Sequence, residues 1–468
     1  MGNYIKNNIN INAVNRFLKD CEDNQIDLHM FTIHYKNEEI VRIEIPPYCL
    51  TQRPQLYSLS KSVTSLAVGL CVQEGRFQVD DFAADFFQEE LKDCANEKAF
   101  HITIKDLLTM RSGHKESVMS KMFSSSNAVK TFFDTPLDYK PGEHFVYNTG
   151  ATYILSAIIS KVTGMTMLEY LKPKLFDVLG IKNVSWRELQ GVTEGGIGIQ
   201  LTCEDYAKIG LLYFNYGCWE GKQVIERKWV EDSIRPWADT SVEETTADWT
   251  AGYGYQIWCD SRGGYRAAGA FGQFCLISQQ HEMVVTLFSE TNRVQEELTL
   301  LYQLLDTIFY VDSDVKATEL RISQKQLFMP IKRRIEEEHY ICETNIYDIK
   351  EFLIRKEENR LYWKIKSSDE EQTILAVDGK WERCHLRLPN LKPYINPFKT
   401  DVDEYMDFYV NAGELNGEMI IQWRHIDNCH YQKFIFHRRE NGIELEMVCN
   451  QGLHFPDNYV IRASLRSK

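Results

Sequence analysis

The 468-residue sequence predicts two folded parts of different class. The first is an α+β domain over residues 1–311, and the second is an all-β domain, a barrel or sandwich, over 339–468, with a linker at 312–338. Three observations carry this. The length exceeds what one ordinary core holds. In the first part, strand-like runs stand at both ends and a large helical middle lies between them, the pattern of one antiparallel sheet completed by both ends of the segment. Beyond about residue 338 the apolar period changes from helical to two.

Taken in order, Ala13, Val14, Phe17, Leu18 and Cys21 recur at helical spacing and predict a helix over 11–22. Residues 28–35 and 40–45 read as strands around a turn at 36–39, and Pro46-Pro47 ends the pair. Small and apolar residues over 58–70 predict a buried helix that stops at Gln73-Glu74-Gly75. Residues 102–114 read as a short capped helix ending at Gly113. Pro141-Gly142-Glu143 then turns the chain toward a long apolar helix through 153–162. Helices are expected at 166–175, 203–216 and 226–233, strands at 253–258, 265–270, 273–278 and 283–288, and a last helix at 295–310.

Lys, Arg and Glu runs around a single Phe328-Met329-Pro330 mark 312–338 as the linker. Alternating patterns then predict strands at 360–366, 373–377, 384–388, 419–425, 431–437 and 443–448. Asp378-Gly379 and Asn441-Gly442 are expected to be type I′ turns.

The net charge of −14, without a basic block or basic amphipathic helix, excludes nucleic acid and anionic membrane surfaces as expected partners. No apolar run reaches the length of a membrane span. Twelve cysteines are scattered without a CxxC or Cys/His metal spacing, which predicts reduced thiols and neither metal nor cofactor. Met1 to Lys6 lacks a secretory pattern, and Lys6 stands where a myristoylation signal has Ser or Thr. The expected location is cytoplasmic.

One stretch carries chemistry. Ser58 precedes Lys61 by three residues, so on a helix the two share a face. A serine hydroxyl is a poor nucleophile until a base takes its proton. A lysine is that base when burial or a cationic neighbour lowers its pKa. A serine in the first turn also lies beside free backbone N–H groups suited to an oxyanion. Ser-x-x-Lys alone is short enough to arise by chance, and Ser60, Ser62 and Ser65 equally suit a helix that packs closely.

Three stretches together say more: Tyr57-Ser58-Leu59-Ser60-Lys61-Ser62, Leu107-Leu108-Thr109-Met110-Arg111-Ser112-Gly113-His114, and Pro141-Gly142-Glu143-His144-Phe145-Val146-Tyr147-Asn148. On their order and spacing, residues 10–310 resemble the serine β-lactamase-related hydrolases, which include class C β-lactamases, DD-peptidases, esterases and nylon-oligomer hydrolases. The resemblance implies a β-lactamase/transpeptidase-like domain. It makes Ser58 the acylating nucleophile, Lys61 its amine, and Tyr147 a phenolate or proton shuttle beside it, leaving open which of Lys61 and Tyr147 is the base. Thr149 stands where the family often has the asparagine that orients a substrate amide, with Asn148 adjacent. Ala267 stands where many relatives carry Lys or His, so no cation awaits a substrate carboxylate. Gly269-Ala270-Phe271-Gly272-Gln273 is similar to the nylon-oligomer hydrolase version, which implies an oxyanion hole made by the Ser58 and Ala270 amides. Asn148, Thr149, Gly269 and Phe271 are expected at the substrate, and Gly195-Gly196-Ile197-Gly198 near the mouth. Arg266 is expected on the surface or a sheet face. Trp186, Trp249 and Trp258 are expected in core packing, with the lining of a pocket for an apolar acyl or leaving group as the alternative, and His114 and His144 in loops or caps. The expected function is a serine hydrolase acting through an acyl-enzyme on a small ester or linear amide. A β-lactamase or D-aminopeptidase, and a non-catalytic binding protein that keeps the fold, are its rivals.

Overall fold

The computed structural model describes residues 2–310, 319–322, 328–345, 348–368, 371–386, 406–449 and 458–466. The chain divides into two compact units, 1–44 with 49–321 and 45–48 with 322–468.

The first unit is an α+β fold around a seven-stranded antiparallel sheet. Its strands are β1 (Tyr4–Ile5), β2 (Asp27–Tyr35), β3 (Glu38–Glu44), β4 (Trp258–Cys259), β5 (Tyr265–Gly269), β6 (Gln273–Ser278) and β7 (Met283–Glu290), in spatial order β1-β3-β2-β7-β6-β5-β4. The N-terminal hairpin thus joins the C-terminal strands through the β2–β7 pair, with Phe31 opposite Leu287. The hairpin turn is tighter than expected: Lys36 and Asn37 both take positive φ, so the strands run up to them. Because side chains alternate across a sheet, β2 sends Phe31 to one face and Thr32 to the other. On the Phe31 face lie α1 (Ile11–Asp23), through Phe17 against Phe31 at 5.5 Å, and α6 (Val294–Thr307) beside α1. The opposite face takes α5 (Cys203–Phe214), where Gly210 is bare because a Cβ would lie 2.6 Å from Cys275 Sγ and from Val284.

The central helix of the helical part is α2 (Ser60–Gln73), buried at every residue from Ser60 to Cys71. Its small residues serve packing: Ser62 Oγ meets Tyr206 Oη at 2.6 Å, and a Cβ on Gly69 would lie 2.5 Å from the Trp229 indole nitrogen. Against it packs α4 (Thr149–Thr163), and on α4 packs α3 (Ile104–Leu108), capped by a Thr103/Asp106 box. Two expectations here were off. α3 stops before Gly113 because Met110 already takes φ +57°. The strand expected at 253–258 survives only as β4, because Gln256 takes φ +63° and its amide donates to the Leu107 and Leu108 carbonyls.

The second unit is one ten-stranded, nearly closed antiparallel sheet. Its strands are β8 (Glu338–Cys342), β9 (Glu351–Glu357), β10 (Arg360–Lys366), β11 (Glu371–Val377), β12 (Glu382–Leu386), β13 (Met406–Leu415), β14 (Glu418–His425), β15 (Tyr431–Arg439), β16 (Gly442–Cys449) and β17 (Asn458–Leu465). Their spatial order is β11-β10-β9-β8-β17-β16-β15-β14-β13-β12. The two ends of the sheet approach each other: Gly379 N donates to Ala412 O at 3.3 Å, and Cys384 Sγ to Leu375 O at 3.3 Å. Inside, Trp363 packs on Trp423, Phe434 and Phe436 in one apolar cluster. Four strands, β8, β9, β13 and β17, were not foreseen. Asp378-Gly379 does turn the chain, but only Gly379 takes positive φ, +66°, so the turn is not the type I′ expected; the other turn is centred on Glu440-Asn441, and Gly442 begins β16. Much of the expected linker is core: Ile331 and Ile335 are buried in the same cluster, and Phe328 is buried too. Their spacing of three and four was hidden by the charges between them. Residues 312–318 and 323–327 of that linker, and the last two positions of the strand expected at 384–388, lie outside the described residues.

Candidate active site

Ser58 lies in a single 3-10 turn, Tyr57–Leu59, that leads directly into α2. It is half-buried, whereas Lys61 in the first turn of α2 is almost wholly enclosed. The expected i,i+3 meeting occurs across this junction, with Lys61 Nζ 3.0 Å from Ser58 Oγ. Two more oxygens complete the surroundings of the amine: Thr149 Oγ1 at 3.1 Å and the Gly196 carbonyl at 2.9 Å. An ammonium would donate to all three. A neutral amine donates to two and turns its lone pair to the third, and of the three only Ser58 and Thr149 have a proton to give.

Burial decides which form prevails. No carboxylate is among these partners, so desolvation pulls the Lys61 pKa down from 10.5 to about 7. The Tyr147 ring lies below the amine, with Nζ 4.8 Å from its centroid. Tyr147 as a whole is half-buried. Burial pushes the phenol up to about 12, and interactions with Ser58 and Tyr253 only partly offset this. At neutral pH the site therefore holds a titrating lysine and an un-ionised tyrosine.

The other expected residues divide. Thr149 opens α4 and reaches Lys61. Asn148, expected at the substrate, is instead the N-cap of α4: its Oδ1 accepts from Gly150 N at 3.0 Å and Val118 N at 3.2 Å, and it is fully buried. The adjacent His114 is buried as well. It bridges Ser112 Oγ at 3.0 Å and the Phe132 carbonyl at 3.1 Å, and its pKa is drawn down to about 4 by burial. His144 stacks on Tyr139 at 4.0 Å. Gly269 ends β5 against the Ser58 turn; a Cβ there would lie 2.7 Å from Leu56 O and 3.0 Å from Leu59 Cδ1. Ala270 follows, exposed, and Phe271 after it is buried with its ring on Tyr57 at 5.3 Å.

Arg266, expected on the surface or a sheet face, is fully buried. Its guanidinium donates to the Cys259 and Asp248 carbonyls at 3.1 and 2.7 Å and lies 4.4 Å from the Trp249 ring centroid. It stands opposite Leu276 in the β5–β6 ladder, and Leu276 stands opposite Val285 in β6–β7, which places it on the sheet face covered by α6, away from Ser58. It does not replace the cation absent at Ala267.

An aromatic wall stands behind Tyr147, built from Trp249 and Trp258, whose alternative reading was a pocket lining, and from Tyr253, which sequence reasoning missed. Trp258 stacks on that ring at 5.6 Å, Tyr253 meets it edge-on at 6.0 Å, and half-exposed Trp249 packs on Trp258 at 4.9 Å. The density of aromatics over 249–258 was its only signal. Trp186 is a core residue, its indole donating to the Ile197 carbonyl at 2.7 Å. Gly196 was read as part of a loop near the mouth, and its carbonyl is a partner of the lysine; a Cβ there would lie 2.6 Å from Thr149 Cγ2. Among the described residues no cluster of His, Cys, Asp and Glu side chains forms a metal site.

A family model described as Beta-lactamase matches residues 46–307. A lovastatin esterase from Penicillium rubens is 27% identical over 150 residues, 27% of this chain and 37% of that protein. This match spans little more than a third of the relative's length. Among solved structures, EstCE1, a hydrolase with promiscuous acyltransferase activity, is similar at TM-score 0.55 and 14% identity, over 64% of this chain and 98% of that one. The octameric penicillin-binding protein homologue from Pyrococcus abyssi is similar at TM-score 0.53 and 15% identity, over 96% of this chain and 99% of that one.

Proposed function

The chain belongs to the beta-lactamase family of hydrolases, and on that premise we propose that it is a serine hydrolase working through an acyl-enzyme on a small ester or linear amide. The observation that carries the reading is the 3.0 Å approach of a lysine amine, titrating near neutrality, to Ser58 Oγ. Neutral Lys61 takes the Ser58 proton as Oγ bonds to the substrate carbonyl carbon. The carbonyl π pair moves onto oxygen, where the Ser58 and Ala270 N–H groups hold it. Collapse breaks the bond to the alkoxide or amine, which leaves with the proton from the Lys61 ammonium, passed directly or through the Tyr147 hydroxyl. Water then attacks the acyl carbon, gives its proton to Lys61, and the acid departs as Ser58 recovers that proton.

The base is Lys61. To act as a phenolate near pH 7, Tyr147 would have to ionise about five units below its pKa, at roughly 7 kcal/mol. The substrate class follows from what the site lacks. Ala267 offers no cation to a carboxylate, and Thr149 offers no amide to a peptide. Both absences favour an uncharged ester or simple amide over a β-lactam or D-peptide. Half-buried Tyr147 and Trp249 suit an apolar group.

Intact mass spectrometry with a fluorophosphonate, alongside p-nitrophenyl ester turnover, tests this. One adduct per chain on the native protein and none on Ser58→Ala is the expected result, with turnover lost in parallel. Ester turnover that survives Ser58→Ala would sink the mechanism, and rapid nitrocefin hydrolysis would overturn the substrate choice.

A further inference from the structure

Each proposed oxyanion donor has a strained neighbour. Tyr57, immediately before Ser58, has φ +48°, and Phe271, immediately after Ala270, has φ +65°. Bulky L-residues hold this left-handed region only where their surroundings over-determine it. Here the two side chains meet edge to face, with ring centroids 5.3 Å apart at 71°, and both residues are buried.

The Phe271 backbone is fixed from the other side. Its carbonyl accepts from Gln273 Nε2 at 3.1 Å and Thr291 N at 3.2 Å, and Ser289 Oγ donates to the next carbonyl, Gly272 O, at 2.9 Å. Gly272, at φ +83°, has no room for a side chain, because a Cβ would collide with Ser289 Oγ and Glu297 Oε2. β5 itself presses on the Ser58 turn at Gly269 and Leu56. The turn that carries Ala270 is therefore anchored at the base, and the Phe271 ring at its tip meets Tyr57 in the turn that carries Ser58.

Resting on the acyl-enzyme reading above, we propose that Tyr57 and Phe271 form an aromatic clasp that sets the separation and direction of the Ser58 and Ala270 N–H groups. Phe271 is then a positioning residue and not a substrate contact. The reason is geometric. Two donors stabilise an oxyanion only when both lie about 2.7–3.1 Å from the place it will occupy. The Ser58 N–H belongs to the peptide that Tyr57 begins, and the Ala270 N–H lies one residue before Phe271. Relaxation of either left-handed residue swings a donor off that point. The ring contact holds both, and the transition state gains from it more than the bound substrate does.

The test is steady-state ester hydrolysis by Phe271→Ala, Phe271→Leu, Phe271→Tyr, Tyr57→Ala and the Tyr57→Ala/Phe271→Ala double variant, with fluorophosphonate labelling and thermal melting of each. The clasp predicts that Phe271→Ala loses at least about tenfold in kcat with KM within about twofold, that Phe271→Tyr restores kcat, and that the double variant is no slower than the slower single one. Should Phe271→Ala fail to fold, Phe271→Leu gives the same reading, since it keeps bulk and loses the ring edge. A raised KM with kcat kept, or losses that multiply in the double variant, overturns the clasp. A native protein that does not label at Ser58 instead overturns the acyl-enzyme reading on which the clasp rests.

Discussion

Lys61→Met should abolish ester turnover and yet stabilise the first unit, by an amount that depends on pH. The unfolded lysine titrates near 10.5 and the folded one near 7, a difference of about 3.5 units. The folded pKa is the lower, so the unfolded state binds the extra proton. The resulting penalty is absent above the unfolded value, grows as pH falls toward the folded one, and is complete below it. At ~1.36 kcal/mol per unit, the penalty grows by up to about 3 kcal/mol between about pH 9.5 and pH 7. The methionine variant escapes it. It loses the amine's hydrogen bonds, worth ~1 kcal/mol each, but that loss depends on pH far less. Melting of both proteins at the two pH values isolates the titration, because other ionisations cancel in the difference. The variant's advantage should widen by several degrees at the lower pH. In the native protein the same titration should make kcat/KM for a neutral ester rise with pH, with a midpoint near 7, and level off where the amine is neutral. A melting difference that does not change with pH, or a kinetic midpoint above about 9, would refute a neutral buried base.

Thr149→Ala removes one of the oxygens that favour the ammonium, so the kinetic midpoint should move down by up to roughly 0.7 unit, the equivalent of one hydrogen bond of ~1 kcal/mol; the pH profile of kcat/KM reads it. Tyr147→Phe should lower kcat by about a hundredfold, as loss of a proton relay does, and leave the acid limb in place because the phenol titrates far above it. In the second unit, Trp363→Ala empties the centre of a packed cluster and should cost about 3–5 kcal/mol, measured by urea unfolding followed through far-UV circular dichroism.

How far the sequence could be read depended on whether a residue's role was local. The helices around Phe17 and Leu211 and the paired runs of β6 and β7 show their period in the chain itself. The meeting of Ser58 and Lys61 also needs only one turn of backbone. The second unit was legible in class and poor in count, because the apolar runs of β9 and β17, Phe352-Leu353-Ile354 and Tyr459-Val460-Ile461, do not alternate and are cut short by Arg355, Lys356 and Arg462. Asn148 was misplaced because an N-cap and a substrate contact use the same side-chain chemistry, and only the start of α4 at Thr149 separates them. Arg266 is on a sheet face, one of the two places expected, but its burial was not legible, because its partners are two backbone carbonyls and an indole face, none of which a sequence marks as complementary to a cation. Gly196 could be read as a tight loop; that its carbonyl ends at the lysine depends on a contact across 135 residues.

Broken local rules mark this site better than any motif does, provided each break is asked what it accomplishes. Lys61 is buried without an acid, and Tyr57 and Phe271 are bulky residues at positive φ; all three lie beside Ser58 or the Ala270 turn. The same kinds of break occur elsewhere with another outcome. Gln256 also takes positive φ, but its amide meets the Leu107 and Leu108 carbonyls, so its strain serves the fold. Arg266 is as buried as Lys61, but it is held by carbonyls and an aromatic face and stays a cation tied to the far side of the sheet. What separates Lys61 is that its cost returns as a change in proton affinity next to a hydroxyl that can give up a proton. A break that lowers the barrier to a reaction cannot be repaired without losing the reaction, whereas one that only completes packing can be replaced by other packing. That difference is why Lys61→Met is expected to gain stability and lose activity together.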